Sequence, residues 1–185
     1  MPVIESIRAV KLDQVLYIPA LRPPHKRQKL TSPFRRMAML AMALNDIVHV
    51  KIDSLELEGP EGMFTIDTVK ILMKRYKAEY FLIIGSDTLA ELDTWKEVDN
   101  LIDLCSVVVL ERPGITYREA VEKLPSRIAR LCQPAGSNIF TFLHDPIEIS
   151  SSLIRERVES GRSIAGMTPP QVENYIYRNN IYESR

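Results

Sequence analysis

Residues 79–87 read EYFLIIGSD. Tyr80 to Ile84 form an unbroken apolar run, and Gly85 ends it. Polar alternation would mark a strand with one wet face. Its absence predicts a strand buried on both faces, as in a parallel sheet. Working outward, four more runs are read as strands: QVLYIPA (14–20), VHVKI (48–52), SVVVLER (106–112) and NIFTFL (138–143). Several are rich in Val, Ile and aromatics.

Helical patterns lie between these runs. Ser32 followed by Pro33 is a cap with proline at the first helical position, opening SPFRRMAMLAMAL. Ile66, Val69, Leu72, Met73 and Tyr76 recur at helical spacing, which predicts one apolar face with Lys70, Lys74 and Arg75 outside it. YREAVEKL (117–124) and LIRERVESG (153–161) are two more patterns, and a last one is expected to start at Thr168 with Pro169 next. Alternating strands and helices predict an α/β fold with a doubly wound parallel sheet. Ligands of such sheets bind beyond the carboxyl ends of the strands. PPHK (23–26), GSD (85–87), ERPG (111–114) and SSS (150–152) follow the first, third, fourth and fifth runs. That shared position argues for a site independently of any one motif.

A chain of 185 residues fits one domain, taken here as 1–185. Hydrophobic content of 45% with 26% charged residues is that of an ordinary globule. The formal net charge is zero, so no global field draws the protein to nucleic acid or to an acidic membrane. No apolar run reaches membrane-spanning length, and MPVIESIRAVKL lacks a signal-peptide core. Cys105 and Cys132 have no metal-type spacing, and Cys105 opens the run CSVVVL as a small buried hydrophobe. The expected compartment is the cytoplasm. Oligomeric state is left open, a homo-oligomer included.

Each polar motif has a chemical reading and a plainer one. ISSSLIR (149–155) offers hydroxyls, backbone N–H groups and the positive end of a helix dipole, with Arg155 one turn in, an assembly suited to a polyphosphate. Its plainer reading is a serine N-cap. LRPPHKRQK (21–29) places His25, Lys26 and Arg27 on a proline-stiffened basic loop that could hold phosphates, serve as a solvated loop, or bind RNA, although no aromatic platform is interleaved. Gly85 permits close backbone approach, and Asp87 can accept from a ribose or help organise a metal-bound nucleotide, or simply cap a helix. Trp95, the single tryptophan, sits in LDTWKEV as a stacking face or as a lid on the core. FTIDT (64–68) supplies Thr65 and helix-start N–H groups for a small carboxylate, or a threonine cap. Arg112 can grip phosphate bidentately or pair with Glu111 or another acid. There is no GxSxG, P-loop or zinc spacing. The reading is therefore positioning and electrostatic stabilisation of phosphates rather than covalent catalysis.

Taken together, LDQVLYIPALRPPHK, FTIDTV, EYFLIIGSDTLAELDTWKEVDNL, VVVLERPG, ISSSLIRERVESGRSI and YIYRNNIY resemble the bacterial nicotinate-nucleotide adenylyltransferases over nearly the whole chain. FTIDT, DTW and ISSSLIR separate that family from adenylyltransferases acting on pantetheine phosphate. The resemblance implies a Rossmann-like nucleotidyltransferase fold. It also implies transfer of AMP from Mg-ATP to nicotinate mononucleotide, giving nicotinate adenine dinucleotide and pyrophosphate in NAD biosynthesis. It would place Trp95 on the pyridine ring, Thr65 at its carboxylate, and His25 and Lys26 near phosphate. Gly85 and Asp87 would border the ATP ribose and the Mg2+ region, Arg112 would support the nucleotide, and Ser151, Ser152 and Arg155 would hold the ATP phosphates. Nicotinamide mononucleotide is a second substrate that the letters do not rank against the first.

Two departures qualify the resemblance. Phe64 stands where the family usually has tyrosine, in an acidic loop. The family also begins with a strand and a Gly-rich turn ending in HxGH, and Met1 falls about where the next residue would stand. None of His25, His49 and His144 replaces those histidines by position, so no catalytic histidine is assigned. The expectation is that Met1 is an internal methionine of a longer natural chain, preceded by a strand of about 5–6 residues and its turn. For residues 1–185 alone, little or no activity and poor solubility are expected. A central strand would be lost, and one preorganised donor at developing charge is worth roughly 3–4 kcal/mol. The rival is a non-catalytic nucleotide-binding paralogue.

Overall fold

The computed structural model describes residues 10–21, 31–132, 139–142 and 149–182. In chain order the elements are β1 (Val15–Tyr17), α1 (Pro33–Leu44), β2 (Val50–Ile52), α2 (Leu55–Glu58), α3 (Thr65–Arg75), β3 (Phe81–Gly85) and α4 (Ser86–Leu89). They continue with α5 (Val98–Leu104), β4 (Ser106–Leu110), α6 (Tyr117–Glu122), α7 (Ser126–Ala129), β5 (Ile139–Phe142), α8 (Ser151–Glu159) and α9 (Pro170–Arg178). All described strand pairs are parallel, in a β1-β2 sheet and a β3-β4-β5 sheet. Each sheet belongs to its own compact unit. One unit holds 10–12, 63–132 and 139–142; the other holds 13–21, 31–62 and 149–182. Among the described residues, no helix is long and apolar enough to cross a membrane.

The first unit shows why the apolar runs carry no alternation. Val107, Val108 and Val109 of β4 are consecutive and all fully buried, so both faces of the strand are covered. Val107 and Val109 join Ile84, Leu89, Leu92 and Ile128 in one cluster. Ile66 and Val69 of α3 meet Leu101 of α5 and Cys105 in another. Each such side chain contributes roughly 1.5–3 kcal/mol when fully buried. Burial pushes the Cys105 thiol up to about 11, and its Sγ donates to Leu101 O. It behaves as the small hydrophobe its run predicts.

The face predicted for α3 is narrower than its spacing implied. Ile66, Val69 and Leu72 are buried, but Met73 and Tyr76 are exposed. The helix ends at Arg75, and Tyr76 turns extended, so its side chain leaves the helical stripe. The Tyr80 hydroxyl instead closes that end, donating to Leu72 O and Tyr76 O.

In the second unit, Ser32 caps α1 by accepting from Arg35 N–H at 3.3 Å. Met39 and Met42 of α1 pack on Val158, Ile164, Val172 and Ile176 from α8, α9 and the loop between them. The last helix starts at Pro170, two residues after the expected Thr168, with Pro169 as its cap. In a Pro-Pro pair either proline suits the first helical position, so local pattern could not choose between them. Thr168 Oγ1 is left buried without a partner.

Candidate functional site

In the parallel register of β3 and β4, Gly85 lies opposite Leu110. The two motifs that follow, GSD and ERPG, therefore emerge side by side at the carboxyl ends of neighbouring strands. Gly85 caps α4, so Asp87 lies in the first helical turn and is not the cap. After β4 the chain makes a tight turn in which Arg112 bridges Ile115, with Gly114 at φ +92° supplying the left-handed residue. Glu111 accepts from Tyr117 N–H at 2.8 Å, and Thr116 and Glu119 cap each other to open α6. Arg112, Gly114 and Thr116 line an open cleft.

Arg112 pairs with Asp87, Nε to Oδ1, at 3.5 Å. Of the partners the sequence offered, Glu111 is engaged with Tyr117 N–H, and the acid is Asp87. The pair closes over Gly85, where an added Cβ would lie 2.3 Å from Asp87 Oδ1 and 2.7 Å from Arg112 Nε. Both side chains remain more than half exposed, so the pair fixes a pose more than it stabilises the fold. A guanidinium and a carboxylate held in reach of solvent can meet a phosphate and a ribose hydroxyl.

Trp95 follows a 3₁₀ turn (Leu92–Thr94) and is half-buried, packed against both clusters of the first unit. Both readings of Trp95 therefore remain physically compatible: it covers core and keeps an accessible part. Thr65 is the first residue of α3, and Phe64 is the cap, so threonine capping does not occur. The Asp67 carboxylate accepts from Phe64 N–H at 3.3 Å. The N–H groups of Thr65 and Ile66 fall among those a helix cannot satisfy itself.

The sequence did not signal how the Trp95 loop is tied to α3. Lys96 Nζ lies 3.2 Å from Asp67 and 4.8 Å from the Phe64 ring centroid. Lys70 pairs with Glu97 at 2.9 Å, and Asn100 also donates to that carboxylate. Glu97, which carries these bonds, sits at φ +52°, an uncommon setting for a residue with a side chain. Burial alone would push Asp67 up; the Lys96 and Phe64 hydrogen bonds and the charges of Lys96 and Lys70 outweigh it, so its carboxyl lies below the ordinary value. Hydrogen bonds from Lys70 and Asn100 lower Glu97 as well.

Lowered carboxyls contribute stability above their unfolded-state pKa, and lose it as pH falls through the folded value. The urea midpoint is thus expected to drop as pH falls through and below about 4. Lys70→Met with Lys96→Met should flatten part of that decline, modestly because the pairs are exposed. Superimposable pH profiles for the protein and the double variant would show the pairs to be idle.

In the second unit, Ser150 caps α8 by accepting from Leu153 N–H at 3.1 Å. That leaves Ser151 and Ser152 exposed in the first turn. Arg155 reaches back one turn and donates to Ser152 Oγ at 3.2 Å. Capping and an open, cationic helix start thus coexist, on different serines. His25 and Lys26 lie outside the described residues. Arg36 of α1 donates to Ala20 O and Leu21 O on one side of that basic loop and to Thr31 O on the other. Nothing in the local pattern of α1 pointed to that role.

The cytidylyltransferase-like family model matches residues 3–157. A Geobacter metallireducens protein named "Probable nicotinate-nucleotide adenylyltransferase" is 34% identical, across 96% of this chain and 88% of its own. A Thermoanaerobacter protein of the same name is 34% identical, across 97% and 85%. Among solved structures, the Plasmodium falciparum nicotinic acid mononucleotide adenylyltransferase complexed with NaAD superposes with a TM-score of 0.70 at 18% identity, covering 98% of this chain and 90% of that one. That likeness shows the fold, a Rossmann-like nucleotidyltransferase α/β fold. With such identity over nearly its full length, the chain belongs to the nicotinate-nucleotide adenylyltransferases, nucleotidyltransferase enzymes of the cytidylyltransferase-like group.

Proposed function

We propose that the protein transfers AMP from ATP to nicotinate mononucleotide, releasing pyrophosphate and forming nicotinate adenine dinucleotide for NAD biosynthesis. The observation that carries the reading is the Asp87–Arg112 pair closed over Gly85 at the carboxyl ends of β3 and β4. That is where a sheet of this class receives a nucleotide. In the reaction, a phosphate oxygen of the mononucleotide attacks the α-phosphorus of ATP. One P–O bond forms, the α–β bridge breaks, and pyrophosphate leaves with the electron pair. The protein's part is to align the two reactants and to meet the charge.

Trp95 stacks on the pyridine ring, and its carboxylate meets Thr65 and the open N–H groups of α3. His25 and Lys26 take the mononucleotide phosphate. Gly85 and Asp87 border the ATP ribose, Arg112 supports the nucleotide, and Ser151, Ser152 and Arg155 hold the triphosphate. Mg2+ supplies charge neutralisation on ATP. It takes hard oxygen ligands and keeps several waters, so one exposed carboxylate such as Asp87 beside substrate phosphates fits its chemistry. The reading treats residues 1–185 as a single nucleotidyltransferase domain acting on two small molecules. It places the reaction in the cytoplasm, which suits the free Cys105 and Cys132.

The test is product formation by the protein purified from its own cells, supplied with ATP, Mg2+ and nicotinate mononucleotide. Stoichiometric dinucleotide and pyrophosphate support the assignment. Mononucleotide binding, seen as Trp95 quenching, without any product would overturn it in favour of a non-catalytic nucleotide-binding protein.

A further inference from the structure

We propose that Ser86 is a positioning residue: its hydroxyl locks the turn after β4 onto the end of β3 and so sets the pose of Arg112 beside Asp87. The proposal rests on the reading of Gly85, Asp87 and Arg112 as the ATP side of the site.

Ser86 is fully buried. Its hydroxyl donates to Ile115 O at 2.7 Å and accepts from Arg112 N–H at 2.9 Å. One side chain thus grips both ends of the turn that carries Arg112. The turn's own closure is a single long bond, Ile115 N–H to Arg112 O at 3.3 Å. Apolar packing alone would be served equally by alanine at this position. What the hydroxyl adds is a fixed, part-buried partner for two main-chain groups of a surface turn. The Arg112 side chain then runs back over Gly85, the residue before Ser86, to reach Asp87. Anchor and target of that side chain are therefore set by three consecutive residues. Ser86 itself, with no exposed surface, acts through Arg112 and not on the substrate.

The experiment is steady-state kinetics on Ser86→Ala, Arg112→Ala and the double variant. Amide hydrogen exchange at Arg112 is followed in parallel. Ser86→Ala is expected to raise KM for ATP about 5- to 10-fold, leave KM for nicotinate mononucleotide within about 2-fold, and deprotect the Arg112 amide. In the Arg112→Ala background the serine substitution should add nothing further for ATP. A merely structural serine would raise both KM values together, or add its full effect in the double variant; either result overturns the proposal. So does an unchanged KM for ATP in a folded Ser86→Ala protein. Should Ser86→Ala fail to fold, Ser86→Cys, with a weaker hydrogen-bonding group of similar shape, replaces it under the same criteria. A wild-type protein without adenylyl transfer sinks the functional reading, and exchange at Arg112 then decides the clamp by itself. Turnover with an unmoved KM for ATP sinks the role of Ser86 alone.

Discussion

Replacing Trp95 with alanine is expected to weaken nicotinate mononucleotide binding about 10- to 100-fold, because stacking a heteroaromatic ring on an aromatic side chain is worth about 1–3 kcal/mol. KM for ATP should move far less. The same substitution removes a ring that packs against both clusters of the first unit. The unfolding free energy will therefore fall too, by less than the ~3–5 kcal/mol typical of a fully buried aromatic. Trp95→Phe separates the two effects. It restores most of the packing but offers a smaller stacking face, so stability should recover more than affinity. Titration calorimetry and urea unfolding on both variants check this. A stability loss with unaltered mononucleotide affinity would reduce Trp95 to a lid on the core.

Gly85→Ala is expected to do the reverse: harm function and spare the fold. The backbone at Gly85 is extended, φ −84° and ψ 159°, and any residue adopts it. Alanine there limits the unfolded chain, a gain of about 0.4–1 kcal/mol where no strain results. The new Cβ would, however, stand 2.3 Å from Asp87 Oδ1 and 2.7 Å from Arg112 Nε. Both are near the ends of flexible side chains that can swing aside, so the fold tolerates the change. The pose of the pair does not survive it. A misplacement of about 1 Å at a reacting centre can cost on the order of 100-fold, and kcat/KM for ATP should fall by up to that amount. Thermal unfolding close to wild type together with that loss is the expected pattern. Full activity would show that the pair does not serve the nucleotide.

Some of this was legible in the letters because short-range physics decides it. Ser32-Pro33 predicts a helix start, and the helix starts there. The serine run at 150–152 predicts either a cap or an anion site, and three residues are enough to supply the cap on Ser150 while Ser151 and Ser152 stay exposed in the first turn. Where two local choices are equivalent, as at Pro169 and Pro170, the boundary moved, here from Thr168 to Pro170. Tyr76 failed as a core residue because helical spacing predicts a face only while the helix lasts.

Taken by itself, the sequence determined the α/β class and the parallel pairing. A strand such as SVVVL must be covered on both faces, and helices are the cover that parallel connections bring. It also determined that GSD and ERPG end strands, and hence at which edge of the sheet they emerge. Only the tertiary structure decided what those residues do to one another. Arg112 N–H finds Ser86 from 26 residues along the chain, and its side chain finds Asp87 across Gly85. Lys96 finds Asp67, and Arg36 gathers Ala20, Leu21 and Thr31. Such pairings join residues in loops and helix ends that lie far apart in the chain, so they form only once strand register and loop closure bring those segments together. Local composition does not record which segments meet; for Arg112, Ser86 and Asp87 the pairing of β3 with β4 decides it.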